Sequence, residues 1–153
     1  MTEPRWLDDQ EQRAWRGYLA MHARLMARLH RQLQAESGLS LADFDVLVQL
    51  TDRPDRRARV LELADALQWE KSRLSHHLSR MQRRGLVTRE ECPDDGRGAF
   101  IVLTGEGRTA IEHAAPRHVA TVRELVFDQL ASDQVTALGD VAEQVLSRLD
   151  RQP

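Results

Sequence analysis

At 153 residues the chain is about the size of one ordinary domain, long enough to bury a core. A hydrophobic share of 41% beside 30% charged residues excludes a disordered chain, and a formal net charge of −2 gives no global sign of nucleic acid or membrane. One cysteine, Cys92, excludes an internal disulfide; no secretory-type apolar run opens the chain and no apolar stretch approaches about 18 residues, so a soluble cytoplasmic protein with no membrane partner is expected.

Residues 8–35 contain no proline and only Gly17, and they read as one helix about 40 Å long. Trp15, Leu19, His22, Met26, Leu29 and Leu33 recur at spacings of four and three, with Tyr18 and Leu25 beside them. A stripe that long in so small a chain is expected to pack partly outside its own globule. After a stop at Gly38, Ser40 is placed as the N-cap of a second helix whose buried face is Phe44, Leu47, Val48 and Leu50. "TDRPDRR" reads as a loop.

Leu61, Leu63, Ala64 and Leu67 give a short amphipathic helix, and Gln68-Trp69 falls where a tight turn belongs. A further helix runs from about Glu70 to Arg84 and stops at Gly85. Two helices joined by so short a turn match a helix-turn-helix. "LVTREEC" and "AFIVLT" then flank "PDDGRG" as the strands of a β-hairpin, which turns the motif into a winged helix. Thr104 is placed as the cap of the next helix, with Glu106 in its first turn. That helix is expected from Gly107 to about Leu130 with a kink at Pro116. Ser132 is expected to cap the last helix, whose apolar face is Val135, Leu138, Val141, Ala142, Val145 and Leu149. The fold class is mainly α with a small β-hairpin.

On the segment from Glu70 to Arg84, Leu74, Leu78 and Met81 share one face. Ser72, His76, Ser79, Arg80 and Arg83 lie opposite, with Arg73 and Ser75 on the flanks, while His77 sits at the edge of the apolar stripe as a structural residue. Lys71 is the only lysine, and from it to Arg89 there are six Lys or Arg and no acidic residue. A near-neutral chain has concentrated positive charge on one element, as DNA recognition requires: Arg can take guanine bidentately, and short Ser and His side chains let the backbone approach. The plain alternative for such a helix is a solvated charged face, and the hairpin that follows favours DNA. In that hairpin Gly96 and Gly98 permit a tight backbone, and Asp95 can pair with Arg97 and limit its rotamers. An Arg preset at a hairpin tip suits a narrow minor groove.

From "GLSLADFDVLVQL" to "DDGRGAFIVLT", together with the long flanking helices, the chain resembles the MarR family of bacterial transcription regulators. The Asp95-Gly96-Arg97 wing followed by Leu103-Thr104 is its most specific motif, and "SRLSHHLSRMQRRGLV" resembles the family's recognition helix. The resemblance covers residues 10–150. It implies a homodimer of single-domain subunits, with residues 8–35 and 105–150 as dimerisation helices and residues 40–104 as a winged helix-turn-helix lobe on double-stranded DNA. It further implies a pseudo-palindromic operator, action mostly as a repressor, and release by a small aromatic or anionic effector. Lys71, Ser72, Arg73, Ser75, His76 and Arg80 are expected on the DNA, with Arg97 in the minor groove. Trp15, Tyr18, His22, Met26 and Phe44 are candidates for the effector pocket, because family pockets lie near the first two helices; core or interface packing is the alternative at each.

The six histidines (His22, His30, His76, His77, His113 and His118) show no ligand spacing with acidic support, so neither metal nor cofactor is expected. Cys92 lies at the base of the wing, away from the first helix where thiol-sensing relatives carry theirs. No nucleophile elbow, phosphate-binding glycine loop or paired-carboxylate motif suggests an enzyme. A winged helix used only for protein contact would need neither the wing arginine nor the basic face. Repressor and activator call for the same residues, so an activator without a small-molecule effector is the other alternative carried forward.

Overall fold

The computed structural model describes residues 1–91 and 98–152. Residues 1–116 pack as one unit and residues 117–153 as a second. In the first unit, α1 (Asp9–Ser37) is opened by a capping box in which the Glu11 N–H donates to Asp8 Oδ1 at 2.8 Å and the Asp8 N–H to Glu11 Oε1 at 3.1 Å. Gly38 ends it at φ +70°, a left-handed cap suited to glycine. Of its 29 residues only Leu29, Gln32 and Leu33 are buried, so most of the predicted stripe faces outward in the single chain.

Helix α2 (Leu41–Thr51) starts at Ser40 as expected, again with a capping box: the Asp43 N–H donates to Ser40 Oγ and the Ser40 N–H to Asp43 Oδ2, each at 2.9 Å. The last residue of the segment read as a loop, Arg57, begins a strand. Residues 52–56 do turn, but β1 (Arg57–Arg59) pairs antiparallel with β3 (Ala99–Leu103), placing Ala58 opposite Ile101. Three residues with one apolar member are too short to show a period of two, so the partner strand, not local pattern, decides this strand. The hairpin of β2 (Val87–Glu91) and β3 is in the register Val87 to Leu103 and Glu91 to Ala99, and the sheet order is β1-β3-β2.

Helices α3 (Val60–Leu67) and α4 (Lys71–Arg83) flank the expected tight turn, made by Gln68 at φ +56°. Leu63, Leu74, Leu78 and Met81 join Leu33, Leu47, Leu50, Ile101 and Ile111 in one core. Gly85 follows α4 at φ +78°, and Thr104 gathers the adjoining chain ends. The Thr104 hydroxyl lies within donating distance of the Gly85 and Leu86 carbonyls and accepts from the Gly107 N–H at 2.9 Å, so wing, α4 and the start of α5 (Gly105–Leu125) meet at one side chain. Gly107 is packed so closely that a Cβ there would overlap the Leu86 carbonyl.

Two expectations about the last helices change. Helix α5 runs through Pro116 and ends at Leu125, not near Leu130. Gln129 Nε2 donates to the Glu124 and Leu125 carbonyls there, satisfying groups that a longer helix would have used itself. In the second unit, after a short 3-10 turn at Phe127–Gln129, α6 (Ser132–Arg151) is capped by Ala131 rather than Ser132. The Ala131 N–H donates to Gln134 Oε1 at 2.8 Å, so one half of a capping box sets the start without a hydroxyl. The predicted face of α6 is present and none of it is buried in the single chain: Val141 is 56% exposed and Leu149 60%.

Candidate nucleic-acid interface

Helix α4 sorts its side chains as the wheel predicts. Leu74, His77, Leu78 and Met81 are buried, whereas Lys71, Ser72, Arg73, His76, Ser79, Arg80 and Arg83 are exposed and Ser75 is half-buried. Past the N-cap Glu70, which makes no side-chain cap hydrogen bond, no acidic residue lies in the first turn, where Lys71, Ser72 and Arg73 stand beside the free backbone N–H groups. Ser79 is partly occupied within the helix, its hydroxyl donating to the Ser75 carbonyl at 3.0 Å.

Beneath that outward face lies a polar network that sequence reasoning did not assemble. Asp43, only 3% exposed, faces a residue of α4 and the C-cap residue of that helix besides its own helix cap. Its Oδ1 lies 2.9 Å from His77 Nε2 on α4, and its Oδ2 accepts from Arg84 Nη1 at 2.7 Å. Arg84 Nη2 also donates to the Gly38 carbonyl at 3.0 Å, the cap of α1. Burial alone would raise the Asp43 pKa, but hydrogen bonds from His77, the Ser40 N–H and Arg84, with the Arg84 charge, outweigh it and hold the carboxyl well below its usual range. Arg84 belongs to the basic run from Lys71 to Arg89, yet its guanidinium is hydrogen-bonded to Asp43 and the Gly38 carbonyl. The signal that could have found Asp43 was its position: residue N3 of a capping box, followed at once by Phe44 in the apolar face.

Trp69, in the turn, was likewise read only as a turn residue. It packs partly buried against the core, takes the Arg73 guanidinium on its ring face at 4.5 Å and meets the His77 ring edge-on at 5.5 Å. In the sheet, Arg57 and Arg59 stand 4.0 Å and 5.0 Å from the centroid of the Phe100 ring, and Arg57 pairs with Glu90 at 3.3 Å. Gly98, expected to permit a tight backbone, has a left-handed one, φ +84°. Asp95, Gly96, Arg97 and Cys92 lie outside the described residues.

The effector candidates do not share one environment. Trp15, Tyr18 and His22 form a stacked, exposed series on α1, with ring centroids 5.8 Å and 6.1 Å apart in turn. Met26 is half-buried, and Phe44 is a core residue at 6% exposure. No helix among the described residues is long and apolar enough to cross a membrane.

A helix-turn-helix followed by a two-stranded wing, carried with long helices at both ends, defines a winged-helix DNA-binding protein. Comparison with known proteins narrows this. A family model described as the MarR family matches residues 37–98. The transcriptional repressor YetL of Bacillus subtilis is 32% identical over 114 residues, covering 72% of this chain and 68% of YetL. Sco3205 of Streptomyces coelicolor, a MarR family transcriptional regulator whose crystal structure is a complex with DNA, superposes with a TM-score of 0.92 at 42% identity, over 99% of this chain and 93% of its own. AbsC, a MarR family regulator of the same organism, gives 0.91 at 40% identity over 97% of this chain and all of its own. The chain belongs to the MarR family of transcriptional regulators.

Proposed function

We propose that this regulator is a cytoplasmic homodimeric repressor that binds a pseudo-palindromic operator and leaves it when a small aromatic or anionic effector binds. The observation that carries the DNA reading is the two-sided α4: its apolar side and His77 lie in the core, while Lys71, Ser72, Arg73, His76 and Arg80 point outward with Ser75 beside them. Arg and Lys supply phosphate and guanine contacts, and Ser and His are short enough to bring the helix close. In this reading the wing places Arg97 in the minor groove, with Asp95, Gly96 and Gly98 shaping its turn. The likeness to Sco3205 supports the same use of the fold.

The dimer reading is supported by apolar surface that a lone chain leaves open, along α6 and on α1 at Trp15, Tyr18 and Leu19. Two recognition helices in a twofold dimer must meet successive major grooves, about 34 Å apart, so a ligand that prefers one spacing of the lobes shifts DNA affinity. Trp15, Tyr18, His22 and Met26 offer aromatic and imidazole contacts to such a ligand; Phe44 would contribute from the core side of α2.

Selection of bound sequences from a random duplex pool tests this function. The expected outcome is a site with two inverted half-sites, to which Arg97→Ala binds about 1–3 kcal/mol more weakly while remaining dimeric. A pool that never converges, or an Arg97→Ala titration identical to wild type, would remove the operator reading or the wing role respectively.

A further inference from the structure

Arg80, on the exposed side of α4, is met from below by a residue that is itself buried. His77 is 9% exposed, and its two ring nitrogens face different partners. Nε2 lies 2.9 Å from Asp43 Oδ1, and Nδ1 lies 3.3 Å from Arg80 Nη2. A guanidinium has donors only, so Nδ1 must offer its lone pair. The ring proton is then on Nε2, the nitrogen that lies 2.9 Å from Asp43 Oδ1. The neutral tautomer with its proton on Nε2 presents a lone pair to Arg80 and keeps the N–H on the Asp43 side, whereas the other would set N–H against N–H at Arg80. Asp43 is held in turn by the Ser40 N–H and Arg84, so the chain of contacts runs from the cap of α2 through the imidazole to a side chain on the outward face. The same ring packs edge-on against Trp69, on whose face Arg73 rests.

We infer that His77 is a positioning residue for DNA recognition: anchored on Asp43, it presets the Arg80 guanidinium and, through Trp69, braces Arg73. The inference rests on α4 being the DNA-facing helix. A long side chain already held in place gives up less rotamer freedom when it meets a base or phosphate, so the grip acts on affinity without any contact of its own. It also ties the pose of α4 to α2, because Asp43 belongs to the N-cap of that helix.

A double-mutant cycle separates positioning from mere packing. His77→Phe removes both nitrogens and keeps a ring against Trp69; His77→Leu serves the same cycle should the Phe variant fail to fold, as judged by circular dichroism. Anisotropy titrations of one labelled duplex at fixed salt are run for wild type, His77→Phe, Arg80→Ala and the double variant. His77→Phe should weaken binding about tenfold alone and less than about threefold when Arg80 is already Ala. His77→Gln, whose amide can donate to Asp43 and accept from Arg80, should bind within about threefold of wild type. Effects that simply multiply, or a Gln variant as weak as Phe, would overturn the positioning role while leaving α4 as the DNA-binding helix. Loss of the larger reading looks different: wild type itself would bind no duplex, or Arg80→Ala would bind as well as wild type.

Discussion

Asp43→Asn keeps the side chain's size and changes what it can accept. In the folded chain Oδ1 faces His77 Nε2 at 2.9 Å, while Oδ2 takes Arg84 Nη1 at 2.7 Å and the Ser40 N–H at 2.9 Å. An amide offers one oxygen and no charge, so His77 and the Arg84–Ser40 side can no longer both face a carboxylate oxygen. Breaking a buried charged pair costs about 3–5 kcal/mol when the partner is stranded. The Arg84 side chain is 46% exposed and regains water, which lowers the expected loss to about 2–4 kcal/mol. Urea unfolding followed by circular dichroism, at neutral pH and one protein concentration, measures it. The acid limb supplies a second reading. The folded carboxyl titrates below its ordinary 3.8 because hydrogen bonds and the Arg84 charge outweigh burial, so its stabilisation is complete above about pH 4 and is lost as the pH falls toward the folded value. Wild-type and Asn curves should therefore converge on acidification below about pH 4. A loss under about 1 kcal/mol at neutral pH, or curves that stay parallel into acid, would refute the network as an anchor.

Gly107→Ala forces a Cβ onto the Leu86 carbonyl and within 2.9 Å of Leu103 Cδ1, so stability should fall by about 1–3 kcal/mol; an unchanged melting temperature would mean that the junction at Thr104 yields easily. Arg84→Ala should destabilise the fold yet leave the salt dependence of DNA binding as it is, since that guanidinium is spent on Asp43 and Gly38; a shallower salt slope would place it on phosphate instead. The pair Val141→Asp and Leu149→Asp puts charge into the open face of α6, and light scattering should then report monomer where wild type reports dimer.

Much of this architecture was legible because short-range chemistry announces it. Ser40 before Leu41, Gly85 after α4, and Thr104 after β3 are caps and stops whose side chains or backbone act within a few residues. The outward face of α4 was readable for the same reason, since helical spacing alone decides which side chains share a side. What failed or stayed hidden depends on partners distant in sequence. Strand β1 exists through its pairing with β3, and Ala131 rather than Ser132 caps α6 because Gln134 reaches back to it. Asp43 and Arg84 are 41 residues apart, and nothing local says that one arginine of a basic run pairs with a buried carboxylate. His77 was read as structural at the stripe's edge, but its two partners were not visible. Phe44 illustrates the converse: its spacing marked a buried face, and burial is where it stands.

The central claim is that the outward side of α4 and the wing engage the DNA backbone and bases. The most direct test is the affinity for one selected duplex, followed by anisotropy as salt is raised from about 50 to 200 mM. Counterion release from about 6–10 neutralised phosphates predicts a straight fall in log affinity against log salt, by about a thousandfold or more. An affinity that hardly moves across that range would contradict the claim, whatever the fold.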